Sequence, residues 1–508
     1  MQMTRTQNSI LNLFTALAGQ ILSLLIGFIS RYYFLHILGE YYLGINGLFT
    51  EILSMLSLVE LGIGPAIIFC MYEPLAQNNL PQICGLLNFY KKIYTTIGLL
   101  IAFLGLLFVP FLPYLIKDYT YSAELNIIFI FFVVNSSVSY FFVYKKSLIL
   151  ADQKRYIYNL VHYSLYFFFN LVQIFCLISF RNYKLYLLLQ ITFTISENVI
   201  ISAKANKNYP FLKRISAFNL DREIKNRIFK NTFAMIFHKL GGIVVISTDN
   251  MLLSMLFGII PVGIYSNYQL ILNAVKNILK QFFLSISASV GNLGVTESSE
   301  KKEVVFNVTL LLANWLYGLC SICIFNLVNP FINLWLEKDL TFDKRVVFVL
   351  CLNLYLYGIR QPLQTFRESF GLFWFDRYKP IFECVINLGI SIWLSKQWGI
   401  LGVFVGTFVS TISTCLWIEP LVVYKYALEV PLARYWKRFI QYLFLYSLSF
   451  AISISLFDNW VNISWRVWIS KAFLCSSIIT LVYVLGTMNL SERKTLLQLF
   501  GKLLLLKR

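Results

Sequence analysis

The chain has few charged residues and very few histidines. Only 13% of its 508 residues are Asp, Glu, Lys or Arg, and only three are His. A soluble domain carries roughly twice that charged fraction, whereas 58% of this chain is hydrophobic. No pairing of a His with an acid or a nucleophile is visible along the sequence. We therefore predict that the protein is not soluble and not an enzyme, with no catalytic residue, metal site or cofactor.

A polar segment long enough to form a soluble domain is also lacking. Apolar stretches of about 20 residues, the length of a membrane span, recur instead, and a lone apolar run in lipid must satisfy its own backbone as a helix. We predict an all-α polytopic membrane protein with about fourteen transmembrane helices. They lie near residues 8–37, 43–72, 84–114, 122–149, 156–180, 184–204, 229–257, 262–290, 304–328, 345–369, 380–396, 400–424, 439–457 and 465–487.

Acidic residues are the scarcer charge, with 24 Asp and Glu against 43 Lys and Arg. The basic residues cluster in the even-numbered connections between spans, which is the pattern of cytoplasmic loops. No basic, aromatic-rich domain lies outside the spans, so the positive charge does not indicate a nucleic-acid partner. We predict that both termini are cytoplasmic. The nine cysteines lie mostly inside apolar segments and predict no disulfide framework.

An internal repeat relates the two halves of the chain. A shift of 219 residues overlays "LGEYYLGING" on "FGIIPVGIYS", so that Gly39 meets Gly258 and Gly44 meets Gly263. These glycines predict a tight turn between paired helices. Six spans separate the matched helices, which predicts two parallel six-helix lobes around a central cavity, plus two C-terminal helices. Chance similarity between apolar helices is the alternative. The predicted parts are the N-terminal lobe (1–206), a basic cytoplasmic linker (207–228), the C-terminal lobe (229–425), a helix pair (439–488) and a basic amphipathic cytoplasmic tail (489–508).

Polar side chains follow one face of the second and the eighth span, at helical spacing. The two sets are Asn46, Thr50, Ser54, Ser57 and Glu60, and Gln269, Asn273, Lys276, Asn277 and Lys280. Because the repeat makes these faces equivalent, they predict a water-filled cleft between the lobes. Hydrogen bonding within each lobe is the alternative. That alternative suits Ser and Thr better than Lys276, which lies half-way through its span, where a charge is unfavourable.

Other ionisable residues of the predicted spans extend this cleft. The predicted substrate-binding set consists of Lys276, Lys280, Lys239, Arg360, Asn273, Gln269 and Arg31. Three acids, Glu60, Glu51 and Asp249, are predicted as counter-charges or a cation site, with a gate or a helix contact as the alternative for Asp249. A basic lining of this kind predicts an anionic substrate, and phosphate is the charged group that best fits it.

Several long motifs resemble the Wzx-type polysaccharide flippases, a branch of the multidrug/oligosaccharidyl-lipid/polysaccharide exporter superfamily. They are "MIFHKLGGIVVISTDNMLLSMLFGIIPVGIYSNYQLI", "LVELGIGPAI", "ADQKRYIYN", "FRESFGLFWFDRYKPIFECVINL" and "WIEPLVVYK". The resemblance covers about residues 8–425. It implies a flippase that carries an undecaprenyl-diphosphate-linked oligosaccharide from the inner to the outer leaflet of a bacterial plasma membrane. Membrane lipids, a polysaccharide polymerase and glycosyltransferases are the implied partners.

Two alternatives to a flippase stay open. One is a cation-coupled exporter of small molecules from the same superfamily, and the other is a membrane enzyme of polysaccharide assembly, a polymerase or ligase. In the motif "RESFGLFWFDRYK", Asp376 and Arg377 are expected to lock a turn that Trp374 anchors at the interface. The alternative is that Arg377 and Lys379 attract a diphosphate head group.

Overall fold

The structure is a computed structural model that describes residues 5–60, 63–117, 123–212, 220, 247–372, 374–458, 460 and 464–495. All regular elements in these ranges are helical. The helices are α1 (Arg5–Leu56), α2 (Ile63–Ala76), α3 (Leu80–Phe108), α4 (Leu112–Leu115), α5 (Ala123–Tyr140), α6 (Val143–Ala151), α7 (Arg155–Phe180), α8 (Tyr183–Asn208), α9 (helical over 247–257), α10 (Ile259–Thr296), α11 (Ser299–Leu336), α12 (Lys344–Ile359), α13 (Gln361–Ser369), α14 (Lys379–Trp398), α15 (Ile400–Ser410), α16 (Leu416–Val423), α17 (Ala433–Phe457) and α18 (Trp465–Gly486).

The predicted all-α polytopic membrane fold is confirmed. Ten helices or helical runs of the described residues are long and apolar enough to cross a membrane. Two π-helical turns, Thr411–Cys415 and Tyr424–Leu428, continue the run that α15 and α16 form. The seventh predicted span, 229–257, is described only from residue 247 onward.

The first predicted span (8–37) and the first part of the second (43–72) form the single long helix α1, which kinks at Gly39, whereas the rest of the second span continues into α2. The backbone of Gly39 has φ +86° and that of Gly258, 219 residues later, has φ +92°. A positive φ is open to glycine without steric cost, so both residues turn the chain between consecutive helices. The predicted tight turn at each matched glycine is therefore present.

A second matched pair of glycines makes a close helix contact inside the first unit of the chain. A Cβ atom on Gly44 would lie 2.1 Å from the carbonyl oxygen of Ile259, and one on Gly263 would lie 2.5 Å from that of Glu40. Ile259 and Glu40 are themselves 219 residues apart. The contact is thus reciprocal under the sequence repeat, and only residues without a side chain allow the backbones to approach so closely.

The chain divides into two compact units, Met1–Gly263 and Ile264–Arg508. The first has a core that includes Tyr90 and Tyr94, and the second has a core that includes Tyr355 and Tyr442. The predicted lobe boundaries at 206 and 229 stay a prediction, because residues 221–246 lie outside the described residues.

Candidate functional site

The predicted polar face of the eighth span is accessible on α10. Asn273 and Lys280 are exposed, while Gln269 and Lys276 are half-buried. The apolar residues of the same helix divide between core and surface, since Phe283 is 2% exposed whereas Ile278 is 53% and Leu284 is 51% exposed. The residues that the sequence grouped on one face are therefore accessible, as are some apolar residues of α10.

Lys276 is held against an aromatic ring of the same unit. Its ammonium group lies 5.1 Å from the centroid of the Tyr357 ring, within the distance at which a cation is attracted by a π face. The ring belongs to α12, so the contact joins α12 to α10. Lys276 is half-buried, so its side chain remains partly accessible to a ligand.

Arg360 has a different environment. Its Nε donates to Glu419 Oε2 at 3.0 Å and its second guanidinium nitrogen donates to Oε1 at 2.8 Å, the two-pronged geometry of a strong ion pair. Lys379 also donates to Glu419 Oε1, and Glu383 lies 3.8 Å from Arg360. The Glu419 side chain is only 1% exposed, so this pairing takes place away from water.

The network extends to the turn between α13 and α14. Arg367 donates to Asp376 at 2.5 Å, and Lys379 lies 3.6 Å from the same carboxylate. Both basic side chains are less than one-tenth exposed. Three bases and three acids thus neutralise one another in what we call the Glu419 network. Its members are Arg360, Arg367, Lys379, Asp376, Glu383 and Glu419.

This placement bears on the predictions for Arg360 and for the turn. Arg360 was expected in a basic substrate lining, but its charge is satisfied by carboxylates, which favours a structural role. The expected lock of the turn is present with other partners, because Asp376 pairs with Arg367 and Lys379. Arg377 instead stacks on Trp374.

The predicted acids lie in the first unit, where they have hydrogen-bond donors. The hydroxyl of Tyr94 donates to Glu60, and the hydroxyl of Ser247 donates to Glu51 at 2.7 Å. Asp249 is buried, with 6% exposure. Glu60 is half-buried rather than enclosed, so the residue contacts its own unit and remains partly accessible.

A cavity of about 190 Å³ lies between α7 and α8 of the first unit. Its lining combines amides, phenols and phenylalanine rings and includes no charged side chain. The lining residues are Tyr166, Phe169, Asn170, Gln173, Tyr186, Gln190 and Phe193. Arg31, half-buried on α1, lies within electrostatic reach of Tyr166 and Tyr186. Ring faces beside amides that both donate and accept suit a neutral, hydroxyl-rich group.

Some predicted residues are not described, and some functional contacts were missed. Lys239 lies outside the described residues. No role was predicted for Glu419. The available signal was that a lone acid in the apolar run "LWIEPLVV" requires a basic partner. His162 Nδ1 lies 2.8 Å from Glu197 Oε2. This pair joins α7 to α8, and no local sequence pattern predicted it because the two residues are far apart in the chain.

No protein-family model and no curated protein matches the chain, but solved structures do. The lipid II flippase MurJ, in an inward closed conformation, has a TM-score of 0.62 at 15% identity, over 94% of this chain and 100% of that chain. An inward-facing multidrug resistance MATE transporter has a TM-score of 0.64 at 15% identity, over 82% and 98%. This chain has the fold of the MOP superfamily.

A third MOP-superfamily structure extends the likeness. A transporter from Pyrococcus furiosus, described as having a binding pocket of reverse polarity, has a TM-score of 0.53 at 14% identity, over 84% of this chain and 97% of that chain. At these identities the likeness concerns the MOP fold alone. A Wzx-type assignment within that fold stays a prediction.

Proposed function

We propose that the chain is a flippase that moves an undecaprenyl-diphosphate-linked oligosaccharide, a repeat unit of a cell-surface polysaccharide, from the inner to the outer leaflet by alternating access. The observation that carries the proposal is the accessible face of α10 with Lys276 and Lys280. Lys280 is exposed and Lys276 is half-buried on this helix, so an anion can reach both lysines. Arg360 and Lys379 of the same unit are paired with acids and are less than one-sixth exposed.

The chemistry of a diphosphate fits this face. A diphosphate near neutral pH needs replacement of its hydration when it leaves water, and basic side chains supply strong charge-assisted hydrogen bonds. Lys276 and Lys280 are four residues apart, so they lie on the same side of one helix. Two lysines that share the charge would hold the head group loosely enough for release. We keep Lys239 in the proposed set of residues that bind the diphosphate.

The cavity of the first unit supports the sugar part of the substrate. Asn170 and Gln173 each donate one N–H to a backbone carbonyl. Their remaining amide atoms line the cavity together with Gln190 and the rings of Phe169 and Phe193. Polar residues at membrane depth are unfavourable unless they face water or a partner. A neutral oligosaccharide presents hydroxyl groups that these side chains can bind.

The proposal extends to the cellular setting. The chain is a multi-pass membrane protein, and we place it in a bacterial plasma membrane with both termini in the cytoplasm. Glycosyltransferases would supply the lipid-linked substrate on the inner face, and a polymerase would consume it outside. Cysteine labelling tests the orientation, since an externally labelled residue in the 205–228 connection would reverse it.

Lys276 variants in proteoliposomes test the mechanism. We expect Lys276→Ala to slow flipping of the lipid-linked oligosaccharide about tenfold, the loss of one charge-assisted contact. Lys276→Glu should abolish flipping, and Lys276→Arg should retain much of it. Lys396→Glu is the matched control, because this exposed lysine lies at the far end of α14. Normal transport by correctly inserted Lys276→Glu would contradict the cationic mechanism.

A cation-coupled exporter of small molecules is the second candidate. It is favoured by the likeness to MATE transporters and by Glu60, a half-buried carboxylate on the polar face of the second predicted span. The same proteoliposomes discriminate the two candidates. If the native protein exports a cationic dye and leaves the lipid-linked oligosaccharide in place, the exporter replaces the flippase.

A further inference from the structure

The turn between α13 and α14 carries aromatic side chains that stand out from the protein surface. Trp374 is 68% exposed and Tyr378 is 57% exposed. The Arg377 guanidinium lies 3.8 Å from the Trp374 ring centroid and 4.6 Å from that of Tyr378, and it donates to the Trp374 carbonyl at 2.8 Å. The cation is thus held in a fixed position among exposed rings.

A neighbouring segment continues this surface. The Phe375 ring stacks on Tyr426 with centroids 3.8 Å apart, and the Lys425 ammonium lies 5.2 Å from the same Tyr426 ring. We name the combined surface the aromatic–basic patch. Its six members are Trp374, Phe375, Arg377, Tyr378, Lys425 and Tyr426.

The depth of the patch relative to the membrane follows from the run Ile400–Leu428, which is one of the ten candidate spans and has Lys425 and Tyr426 of the patch in its last turn. Helix α14 packs against this run, since a Cβ atom on Gly406 would lie 2.0 Å from the Ser391 side chain, and its 20 residues make it about 30 Å long, the hydrocarbon thickness of a bilayer. Trp398 is exposed at its far end, and Phe382 and Val385 are exposed along its length. Exposed apolar side chains between two sets of aromatic rings are typical of a lipid-facing helix. The patch therefore lies at the head-group level of one leaflet.

The basic residues of the patch differ from the neighbouring basic residues in their ion-pair partners. Arg367 and Lys379, at the two ends of the turn, are paired with carboxylates. Arg377 and Lys425 have no carboxylate within ion-pair distance among the residues that the structure describes. A guanidinium has five N–H donors in a planar fork that fits phosphate, and the Trp374 carbonyl takes one of them.

We propose that the aromatic–basic patch binds the phosphate of an anionic phospholipid, such as phosphatidylglycerol, from the adjoining leaflet. The guanidinium of Arg377 and the ammonium of Lys425 contact the phosphate, and the rings lie against the glycerol and the upper acyl chains. The exposed apolar residues of α14 favour a bilayer lipid over the transported substrate, because they continue the patch along the lipid-facing surface. The inference is independent of the proposed flippase function.

Native mass spectrometry of the delipidated full-length protein tests this proposal. Dioleoyl phosphatidylglycerol and dioleoyl phosphatidylcholine serve as the probes, and we expect the native protein to prefer the anionic lipid. Arg377→Gln should weaken phosphatidylglycerol binding about tenfold, the effect of losing one charge-assisted contact, and leave phosphatidylcholine binding unchanged. Trp374→Leu should weaken it by a smaller factor, about threefold.

Lys396→Gln provides the matched control, because it removes an exposed base near exposed tryptophans at the other end of α14. This variant should bind phosphatidylglycerol as the native protein does. Equal binding of both lipids by the native protein, or equal phosphatidylglycerol binding by the Arg377 and Lys396 variants, would overturn the proposal. Displacement of the lipid by inorganic pyrophosphate at a lower concentration than the lipid itself would assign the patch to a diphosphate and overturn the phospholipid assignment.

Discussion

The polar face of α10 and the Glu419 network both hold bases in the same unit, but the surroundings of those bases differ. In the network, Arg360 shares two hydrogen bonds with a carboxylate that is 1% exposed. On α10, Lys276 lies over a tyrosine ring and Lys280 is exposed. A base within a membrane span therefore does not by itself indicate a substrate site, and its partners decide its role.

The difference follows from the energetics of buried charge. Removing an ion from water is expensive, and an ion pair offsets this cost only when its geometry is good and its remaining donors are satisfied. Within the Glu419 network, the two-pronged pair of Arg360 and Glu419 meets the condition on geometry. An exposed base such as Lys280 avoids the cost and stays available to a mobile anion.

The largest expected effect comes from breaking the Glu419 network. Glu419→Gln would leave Arg360 and Lys379 without their shared carboxylate in a buried site, which typically costs about 3–5 kcal/mol. We expect little folded protein on size-exclusion chromatography and a clearly lower melting temperature. Arg360→Gln combined with Glu419→Gln should cost less than the sum of the two single changes, since contacting residues couple.

An exposed pair provides the control for this experiment. Lys344 and Asp458 are 71% and 57% exposed and lie 2.5 Å apart, so Asp458→Asn should leave the melting temperature nearly unchanged. If Glu419→Gln melts like the native protein, the network does not stabilise the unit. The Arg360 guanidinium would then return to the set of candidate substrate contacts.

Local patterns explain why much of the fold could be predicted. Residues three or four apart share a helical face, so the accessible face of α10 was visible in the sequence. The repeat likewise predicted the turns at Gly39 and Gly258. A backbone position with positive φ favours glycine, and a glycine can be recognised in the sequence. These features depend on residues close together in the chain or on a fixed offset.

Contacts between distant helices could not be predicted in this way. Glu419 lies 59 residues after Arg360, and Tyr94 lies 34 residues after Glu60. A single sequence does not show which helix faces pack together. Arg360 was therefore grouped with Lys276 on charge and depth alone, and the carboxylates that separate their roles were overlooked.

We expect an effect of intermediate size on flipping from a change at Glu60. Glu60→Gln removes the charge but keeps an oxygen that accepts from Tyr94, so we expect the melting temperature to change little. Flipping should slow by about three- to tenfold if the carboxylate balances the bases of the substrate path or binds a cation. The comparison is made at matched protein levels in proteoliposomes. A fall in folded protein without a change in the rate per molecule would make Glu60 a structural contact of its own unit.

The smallest effect is expected at Lys280. This lysine is exposed on α10 and has no ion-pair partner among the described residues. Its electrostatic attraction for an anion therefore passes through solvent. Exposed charges are screened as the Debye length falls from roughly 10 Å at 0.1 M salt to roughly 3 Å at 1 M. Lys280→Gln should therefore slow flipping about twofold at the lower ionic strength and leave it nearly unchanged at the higher one. Lys276→Gln, at a half-buried position, should slow flipping at both salt concentrations. Initial rates of both variants at the two salt concentrations decide the matter, and an equal salt response would show that α10 presents two equivalent surface charges.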